Sequence, residues 1–196
     1  GTKQLGKKPI LINDLKSIIN AIDEFNKIEK KKLRDKAILL VGFSGGFRRS
    51  ELVEIEYDDV EFVSEGVKIF IKRSKTDQSG EGMIKAIPYF ENKNFCPVVN
   101  LKKWIDYSVI KSGKIFNISD KSVALIIKKY ASLSGLDPNK YGGHSLRSGF
   151  ATSTAESGAE ERNIMAMTGH KTTQMVRRYI KDANLFKNNA LNKIKI

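Results

Sequence analysis

The chain contains two histidines, and each lies in a segment whose residue types could act on a phosphate group. His144 lies in Gly-Gly-His-Ser-Leu-Arg, where a three-residue spacing predicts that His144 and Arg147 share one face at the start of a helix. The N-terminus of a helix favours anions, and a histidine with an arginine there can grip a phosphate. Alone, this pattern is also typical of an ordinary surface pair.

The second histidine is followed by a tyrosine. His170 ends the segment Thr-Gly-His, and Tyr179 follows nine residues later. A tyrosine hydroxyl has a pKa of about 10 and is a weak nucleophile, so it needs neighbouring cations that favour the phenolate. Taken singly, His170 is also explained as a residue favoured by the helix dipole, and Tyr179 as a packing residue of an amphipathic helix.

A third segment lies upstream and reads Gly-Phe-Arg-Arg-Ser-Glu-Leu from Gly46. Its first arginine, Arg48, follows a glycine-rich break at the start of a predicted helix and can project into a cleft. The segment is also explained as a solvated basic turn.

Composition narrows the class of protein. The 196 residues include 35 Lys and Arg against 22 Asp and Glu, and a net charge of +13 favours a polyanionic partner such as nucleic acid over a merely basic protein. A single cysteine, Cys96, excludes a disulfide framework and a cysteine-based metal site. The sequence has no P-loop pattern, no His/Cys cluster and no acidic ligand set, so it predicts neither a metal nor a cofactor. No apolar run approaches about 18 residues, which excludes a transmembrane helix.

The spacing of apolar residues predicts the elements that carry these segments. A helix is expected over residues 12–22, with Asn13 or Asp14 as a cap. Residues 67–71 and 84–87 alternate as strands do, with a polar turn between them, so two or three antiparallel strands are expected. The expected fold is mainly α with a small antiparallel β-sheet (α+β), in one domain. Further helices are predicted over residues 31–43, 48–55, 98–110, 122–133, 145–156, 159–168 and 172–180.

Together these segments resemble the tyrosine recombinases, the phage integrase family. The resemblance lies in the order Gly-x-Arg-x-Ser-Glu-Leu, a lysine-bearing hairpin, Gly-Gly-His-Ser-Leu-Arg-Ser-Gly, and Gly-His with a tyrosine nine residues later. Each motif alone is weak or moderate, but the ordered set is strong and spans residues 8–187. The resemblance implies the catalytic-domain fold of DNA breaking-rejoining enzymes over residues 9–183. Residues 1–8 are expected to be a flexible leader, and residues 184–196 a tail that docks on a neighbouring subunit.

The resemblance also implies a chemistry, the cleavage and rejoining of DNA through a 3′-phosphotyrosine intermediate by a site-specific recombinase (integrase) of a phage or mobile element. Tyr179 matches the nucleophile of the family, and Arg48 matches its first catalytic arginine, with Arg49 as a lesser alternative by one position. The resemblance implies that Glu51 holds this arginine, although an acid in the first turn of a helix is an equal explanation. The full set of implied catalytic residues is Arg48, Lys75, His144, Arg147, His170 and Tyr179. Lys75, on the hairpin turn, is the implied acid for the leaving 5′-oxygen, with Lys72 and Lys85 as alternatives. The family reaction needs no metal and no cofactor.

Further expectations concern partners and rival functions. The resemblance implies double-stranded DNA as substrate, a homo-tetramer on paired DNA sites with a monomer in the absence of DNA, DNA-bending accessory proteins, no membrane contact and a cytoplasmic location. The chain begins at about the point where the family's catalytic domain begins, so it is expected to be a fragment or a short member. The rival functions are strand breaking and rejoining of the type IB topoisomerase kind, a catalytically silent DNA-binding protein, and a His/Arg nuclease.

Overall fold

The computed structural model describes residues 6–72, 82–170, 172–187 and 189–194. Over these residues the chain is mainly helical with one small antiparallel sheet, which confirms the predicted fold class. The described helices are α1 Ile12–Phe25, α2 Glu29–Ser44, α3 Arg49–Glu54, α4 Pro97–Ser108, α5 Asp120–Leu133, α6 Ser145–Glu156, α7 Glu161–Thr168 and α8 Thr173–Asn184. The described strands are β1 Val60–Val63, β2 Gly66–Ile71 and β3 Met83–Pro88.

The three strands pair in the order β1-β2-β3, each antiparallel to the next. Alternate residues of β2 are buried, as its sequence pattern predicted. On β3 the residue that pairs with Ile69 is Lys85, so this lysine lies on the inner face of the sheet together with Ile87. The turn between β2 and β3, which includes Lys75, lies outside the described residues.

Most of the apolar side chains form one large core. Helix α2 lies within it and is buried on all sides from Asp35 to Ser44, and helices α1, α4 and α5 pack around it. A helix that is buried on every side cannot carry unpaired charges. The Asp35 carboxylate accordingly accepts a hydrogen bond from the Tyr130 hydroxyl, and the Lys36 ammonium donates to Asp23.

A second, much smaller cluster holds the C-terminal helices together. Its buried members are Phe150, Ala151, Ala155, Ile164 and Val176, contributed by α6, α7 and α8. Tyr179 and Ile180 of α8 pack against this cluster while they stay partly exposed. The helix that carries the predicted nucleophile is therefore fixed by five buried residues rather than by the main core.

The predicted element boundaries differ from the structure in three informative places. Helix α1 begins at Ile12, so the N-cap position falls on Leu11, and the prediction that Asn13 or Asp14 caps this helix was wrong. Helix α7 begins at Glu161, two residues later than predicted, because its chain enters in an extended conformation at Glu160. Helix α8 continues to Asn184, four residues past the predicted end, since no glycine or proline stops it there. None of the described helices combines the length and apolar character that crossing a membrane requires.

Candidate active site

The turn between α2 and α3 presents Arg48. Helix α2 ends at Ser44 with Gly45 as its C-cap, and Gly46 takes a left-handed conformation with φ of 57°, which favours glycine. Arg48 then occupies the N-cap position of α3, where its Nη1 donates to Glu51 Oε1 at 2.7 Å and its backbone N–H donates to Glu51 Oε2 at 3.0 Å. The Glu51 carboxylate thus holds both the backbone N–H and the guanidinium of Arg48. Arg49 instead pairs with Asp120 at 3.2 Å and is more exposed.

Arg147 lies in the first turn of α6, and its side chain is buried. Its Nη1 donates to the Gly46 carbonyl oxygen at 2.9 Å, and its Nη2 lies 3.2 Å from His170 Nε2. Burial, followed by repulsion from Arg48, lowers the pKa of Arg147 to about 10. The two predicted arginines therefore face one region, although 99 positions separate them in the chain.

The hydrogen bonds of His170 define its tautomer. Thr168 Oγ1 lies 3.0 Å from the Ile164 carbonyl oxygen and 2.7 Å from His170 Nδ1; with the hydroxyl proton directed at Ile164, its oxygen accepts from Nδ1–H. Arg147 has only donors, so Nε2 of His170 must accept from it. Both contacts assign the proton of the ring to Nδ1 and the lone pair to Nε2.

The electrostatics of the site agree with a neutral His170. Its pKa is lowered to about 4, first by burial and then by Arg147, Arg48 and Lys85 in that order. Glu51 opposes this shift but does not cancel it. Within the described residues, the site thus combines several cations with one carboxylate, which suits an anionic ligand.

Tyr179 lies on α8 beside this group. Its ring centroid is 6.4 Å from that of His170, with an angle of 38° between the two ring planes. The two buried tyrosines among the described residues are held elsewhere: the Tyr141 hydroxyl donates to Asp14, and burial raises the pKa of Tyr141 to about 12. Burial likewise raises the pKa of Tyr130, whose hydroxyl donates to Asp35.

His144 and Lys75 are not brought into the group by the described contacts. His144 occupies the N-cap position of α6 with helical backbone angles and is exposed, whereas Arg147, three residues further on, is buried. The shared face that their spacing predicts stays a prediction. Lys75 lies outside the described residues.

The two alternative lysines differ sharply in environment. Lys72 is exposed at the end of β2, where it forms ion pairs with Glu56 and Asp59. Lys85 is fully buried, and its Nζ donates to the carbonyl oxygens of Gly45 and Met167. A cavity of about 400 Å³ beside Arg48 contacts Lys72 but not Lys85. Its lining carries more carboxylates than cations and therefore does not suit a phosphate; the carboxylates are those of Glu51, Glu54, Glu56 and Asp59.

Sequence reasoning assigned no role to Thr168 and considered Lys85 only as a proton donor. The signal for Lys85 was present, because it occupies the same face of its strand as Ile87, where a charged residue is unexpected. Thr168 carried no such signal, since a threonine in the last turn of a helix is ordinary.

Comparison with known proteins establishes the family. A sequence model of the Phage integrase family matches residues 10–185, and the chain belongs to that family. It is 48% identical over 207 residues to an integrase/recombinase XerD homolog of Selenomonas ruminantium, an alignment that covers 99% of this chain and 60% of that protein. It is 31% identical over 157 residues to a tyrosine recombinase of Agathobacter rectalis, covering 79% and 49% respectively.

Solved structures share the fold. The XerA recombinase superposes with a TM-score of 0.73 at 19% identity, covering all of this chain and 67% of its own. XerH bound to a palindromic difH substrate gives a TM-score of 0.73 at 17% identity, covering 96% of this chain and 57% of its own. The resemblance and the fold class inferred from the sequence are thereby confirmed. The chain spans about half to three fifths of the length of the two curated relatives above.

Proposed function

We propose that the chain is the catalytic domain of a site-specific DNA recombinase (integrase), which cleaves and rejoins DNA through a 3′-phosphotyrosine intermediate. The observation that carries the proposal is the group formed by Arg147, His170 and Tyr179, with Arg48 held beside it by Glu51. Similarity to a XerD homolog over almost the whole chain supports it.

In the proposed reaction the Tyr179 oxygen attacks a DNA phosphorus, and the bond from phosphorus to the 5′-oxygen breaks. One phosphodiester is exchanged for another, so the bond energy is retained for rejoining. Negative charge develops on the non-bridging oxygens, where Arg48 and Arg147 act as fixed donors. Arginine suits this task because it stays charged and presents a forked set of N–H groups.

His170 requires a rearrangement before it can donate to the phosphate. In the tautomer assigned above, its Nε2 carries a lone pair that accepts from Arg147. When a phosphate draws the Arg147 guanidinium away, Nε2 becomes available and the phosphate charge favours its protonation. Thr168 keeps the ring in place meanwhile, because its contact is to the other nitrogen.

Lys75 is the proposed general acid for the leaving 5′-oxygen, and His144 the proposed proton-transfer group near Tyr179. Two observations support Lys75 over its alternatives. Lys72 is engaged with two carboxylates, and the Lys85 amine is buried on two carbonyl groups. Exposure of His144 leaves it accessible to bound DNA.

Double-stranded DNA is the proposed partner, and we expect the activity in the bacterial cytoplasm, where that substrate is found. We further propose that four copies assemble on paired DNA sites and that residues 184–196 dock on a neighbouring copy. The exposed side chains of Leu185, Phe186, Leu191 and Ile194 support this, since they pack little against their own domain. Among the solved structures of similar fold is a lambda integrase tetramer bound to a Holliday junction.

Covalent capture tests the function even though the DNA site has not been defined. A pool of short duplexes with randomised sequence and a nick that traps the intermediate is incubated with the chain, and DNA that survives denaturing washes is sequenced. We expect enrichment of one sequence family, joined to the protein through its 3′-phosphate and releasing a free 5′-hydroxyl. DNA cleavage without any protein-linked product would instead identify a nuclease.

A further inference from the structure

Lys85 is the most deeply buried charged residue among those described. It lies on the inner face of β3 with no exposed surface. Its Nζ donates to the Gly45 carbonyl oxygen at 2.8 Å and to the Met167 carbonyl oxygen, and it lies 4.7 Å from the centroid of the Phe47 ring. The general-acid reaction proposed for Lys75 does not use this residue.

Both acceptors lie at the C-terminal ends of helices. Gly45 is the C-cap residue of α2, and Met167 lies in the last turn of α7. Carbonyl groups at such ends lack intrahelical donors and carry the negative end of the helix dipole. One amine therefore donates hydrogen bonds to carbonyl groups at two helix ends that are more than 100 residues apart in the chain.

Each of these helix ends leads directly into the candidate active site. Gly46, which follows Gly45, supplies the carbonyl oxygen that accepts from Arg147. Thr168, which follows Met167, accepts from His170 Nδ1. Strand β3 contacts the second turn again through Met83, whose Sδ would lie 3.2 Å from a Cβ placed on Gly169.

We propose that Lys85 is a positioning residue of the active site: its amine ties the end of α2 to the end of α7 and so sets the distance between the turn that carries Arg48 and the turn that carries His170. The inference rests on the proposed function for its catalytic consequence, but its structural content concerns the DNA-free chain alone.

The energetic cost of this arrangement argues against a mere packing role. Burial lowers the pKa of Lys85 to about 7, with Arg147 and Arg48 acting in the same direction and Glu51 opposing them. An apolar residue of similar size would avoid that cost, but it would leave two carbonyl groups without a donor. The charged amine has three N–H donors and the neutral amine two, so both forms can serve both acceptors.

Because the chain has only two histidines, the tautomer of His170 can be followed directly by NMR. In the DNA-free chain, ¹⁵N NMR should report His170 as the neutral tautomer with its proton on Nδ1, and His144 is the internal reference. Lys85→Met should turn the His170 signals into a mixture of tautomers and leave those of His144 unchanged. Lys68→Met, which removes an exposed lysine from the same sheet, should alter neither histidine.

The rate at which the captured duplex is cleaved tests the catalytic consequence of the Lys85 contacts. We expect Lys85→Met to slow the covalent step about 10²-fold, as a displacement of the site by about 1 Å would, with unchanged DNA affinity. Lys85→Arg, which retains donors and charge, should recover part of the rate, and Lys68→Met should match the wild type. Wild-type His170 signals in a folded Lys85→Met chain would overturn the proposal, whatever the cleavage rate.

A measurement on the unsubstituted chain decides the matter should Lys85→Met fail to fold. The ¹⁵Nζ signal of Lys85 should show coupling through hydrogen bonds to the carbonyl carbons of Gly45 and Met167. A Lys85 amine that exchanges rapidly with water and shows no such coupling refutes the proposal. If no covalent DNA product forms with the wild type, the proposed function fails, while both NMR tests of Lys85 still stand.

Discussion

The two sides of the candidate site are supported by hydrophobic clusters of very different size. Arg48 follows α2, which is buried on every side in the large core, and Arg147 is hydrogen-bonded to the turn that ends this helix. Tyr179 lies on α8, which packs on a cluster with five buried residues. The proposed donors are therefore held by the main core of the protein, and the proposed nucleophile by a small separate cluster.

The two sides of the site are therefore suited to different tasks. Donors that stabilise developing charge act best when they are oriented before the reaction begins. A helix that is held by few buried contacts opens locally at lower free energy than the core does. We therefore expect the proposed nucleophile to adjust to DNA while the arginines stay in place, with Lys85 and His170 connecting the two sides.

The largest effect is expected at the nucleophile. Tyr179→Phe should abolish the covalent protein–DNA product and preserve DNA affinity, since the ring and its packing remain. The measurement is a denaturing gel of the captured duplex, alongside binding by anisotropy. Tyr107→Phe, which alters an exposed tyrosine on α4, should behave as the wild type. A product that survives Tyr179→Phe but disappears in Tyr141→Phe would reassign the nucleophile.

Removal of the proposed acid should have the next largest effect. Lys75→Ala should slow cleavage by roughly 10² to 10⁴-fold. A substrate with sulfur in place of the bridging 5′-oxygen has a leaving group that needs no proton, so Lys75→Ala should cleave it at nearly the wild-type rate. Arg48→Ala should be slow on both substrates, because its proposed contacts are to the non-bridging oxygens. Rescue by sulfur in Lys72→Ala rather than in Lys75→Ala would transfer the role.

The buried amine between the two sides should make stability depend on pH. The pKa of Lys85 is about 7 in the folded chain against an ordinary 10.5, so between these values the unfolded chain binds the additional proton. Raising the pH through this window therefore favours folding, by up to about 1.4 kcal/mol per pH unit. Below pH 7 both states are protonated and this contribution to the slope vanishes.

Chemical unfolding at a series of pH values checks this expectation. The rise in unfolding free energy should be absent in Lys85→Met and retained in Lys68→Met. Equal slopes in the wild type and Lys85→Met would mean that another group titrates in this window.

A smaller effect is expected when the contact that orients His170 is removed. Thr168→Val keeps the shape of the side chain and deletes the oxygen that accepts from His170 Nδ1. The loss of about 1 kcal/mol corresponds to roughly a fivefold slower cleavage, with a mixture of His170 tautomers in ¹⁵N NMR. Thr154→Val removes a hydroxyl that serves only helix carbonyls and is the matched control. An unchanged tautomer in Thr168→Val would contradict the hydrogen-bond assignment.

The smallest effects are expected from substitutions that compare the small cluster with the main core. Ile164→Val in the small cluster and Ile38→Val in the main core remove the same methyl group from buried positions, at about 1 kcal/mol each. Hydrogen exchange should show faster opening of α7 and α8 in Ile164→Val, with little change elsewhere. Ile38→Val should instead lower the stability of the whole domain. Identical exchange patterns would show that the two clusters unfold as one.

The sequence was sufficient for the fold class and for most element positions, because the hydrophobic periodicity of a helix or strand is local. Helix α6 was predicted with its observed bounds, and α5 differs by two residues. The cap of α1 was misjudged, because it depends on the residue at which the helix begins, which local patterns define poorly.

By itself the sequence determined the family and the candidate residues, since motif composition and the nine-residue spacing after His170 are properties of short segments. Only the tertiary structure decided how these residues are held. The Arg147 contact to Gly46 and the Lys85 contacts to Gly45 and Met167 each join segments 40 or more residues apart. Such contacts arise from the packing of the whole chain, so the tautomer of His170 and the position of Lys85 could not be obtained from any one segment.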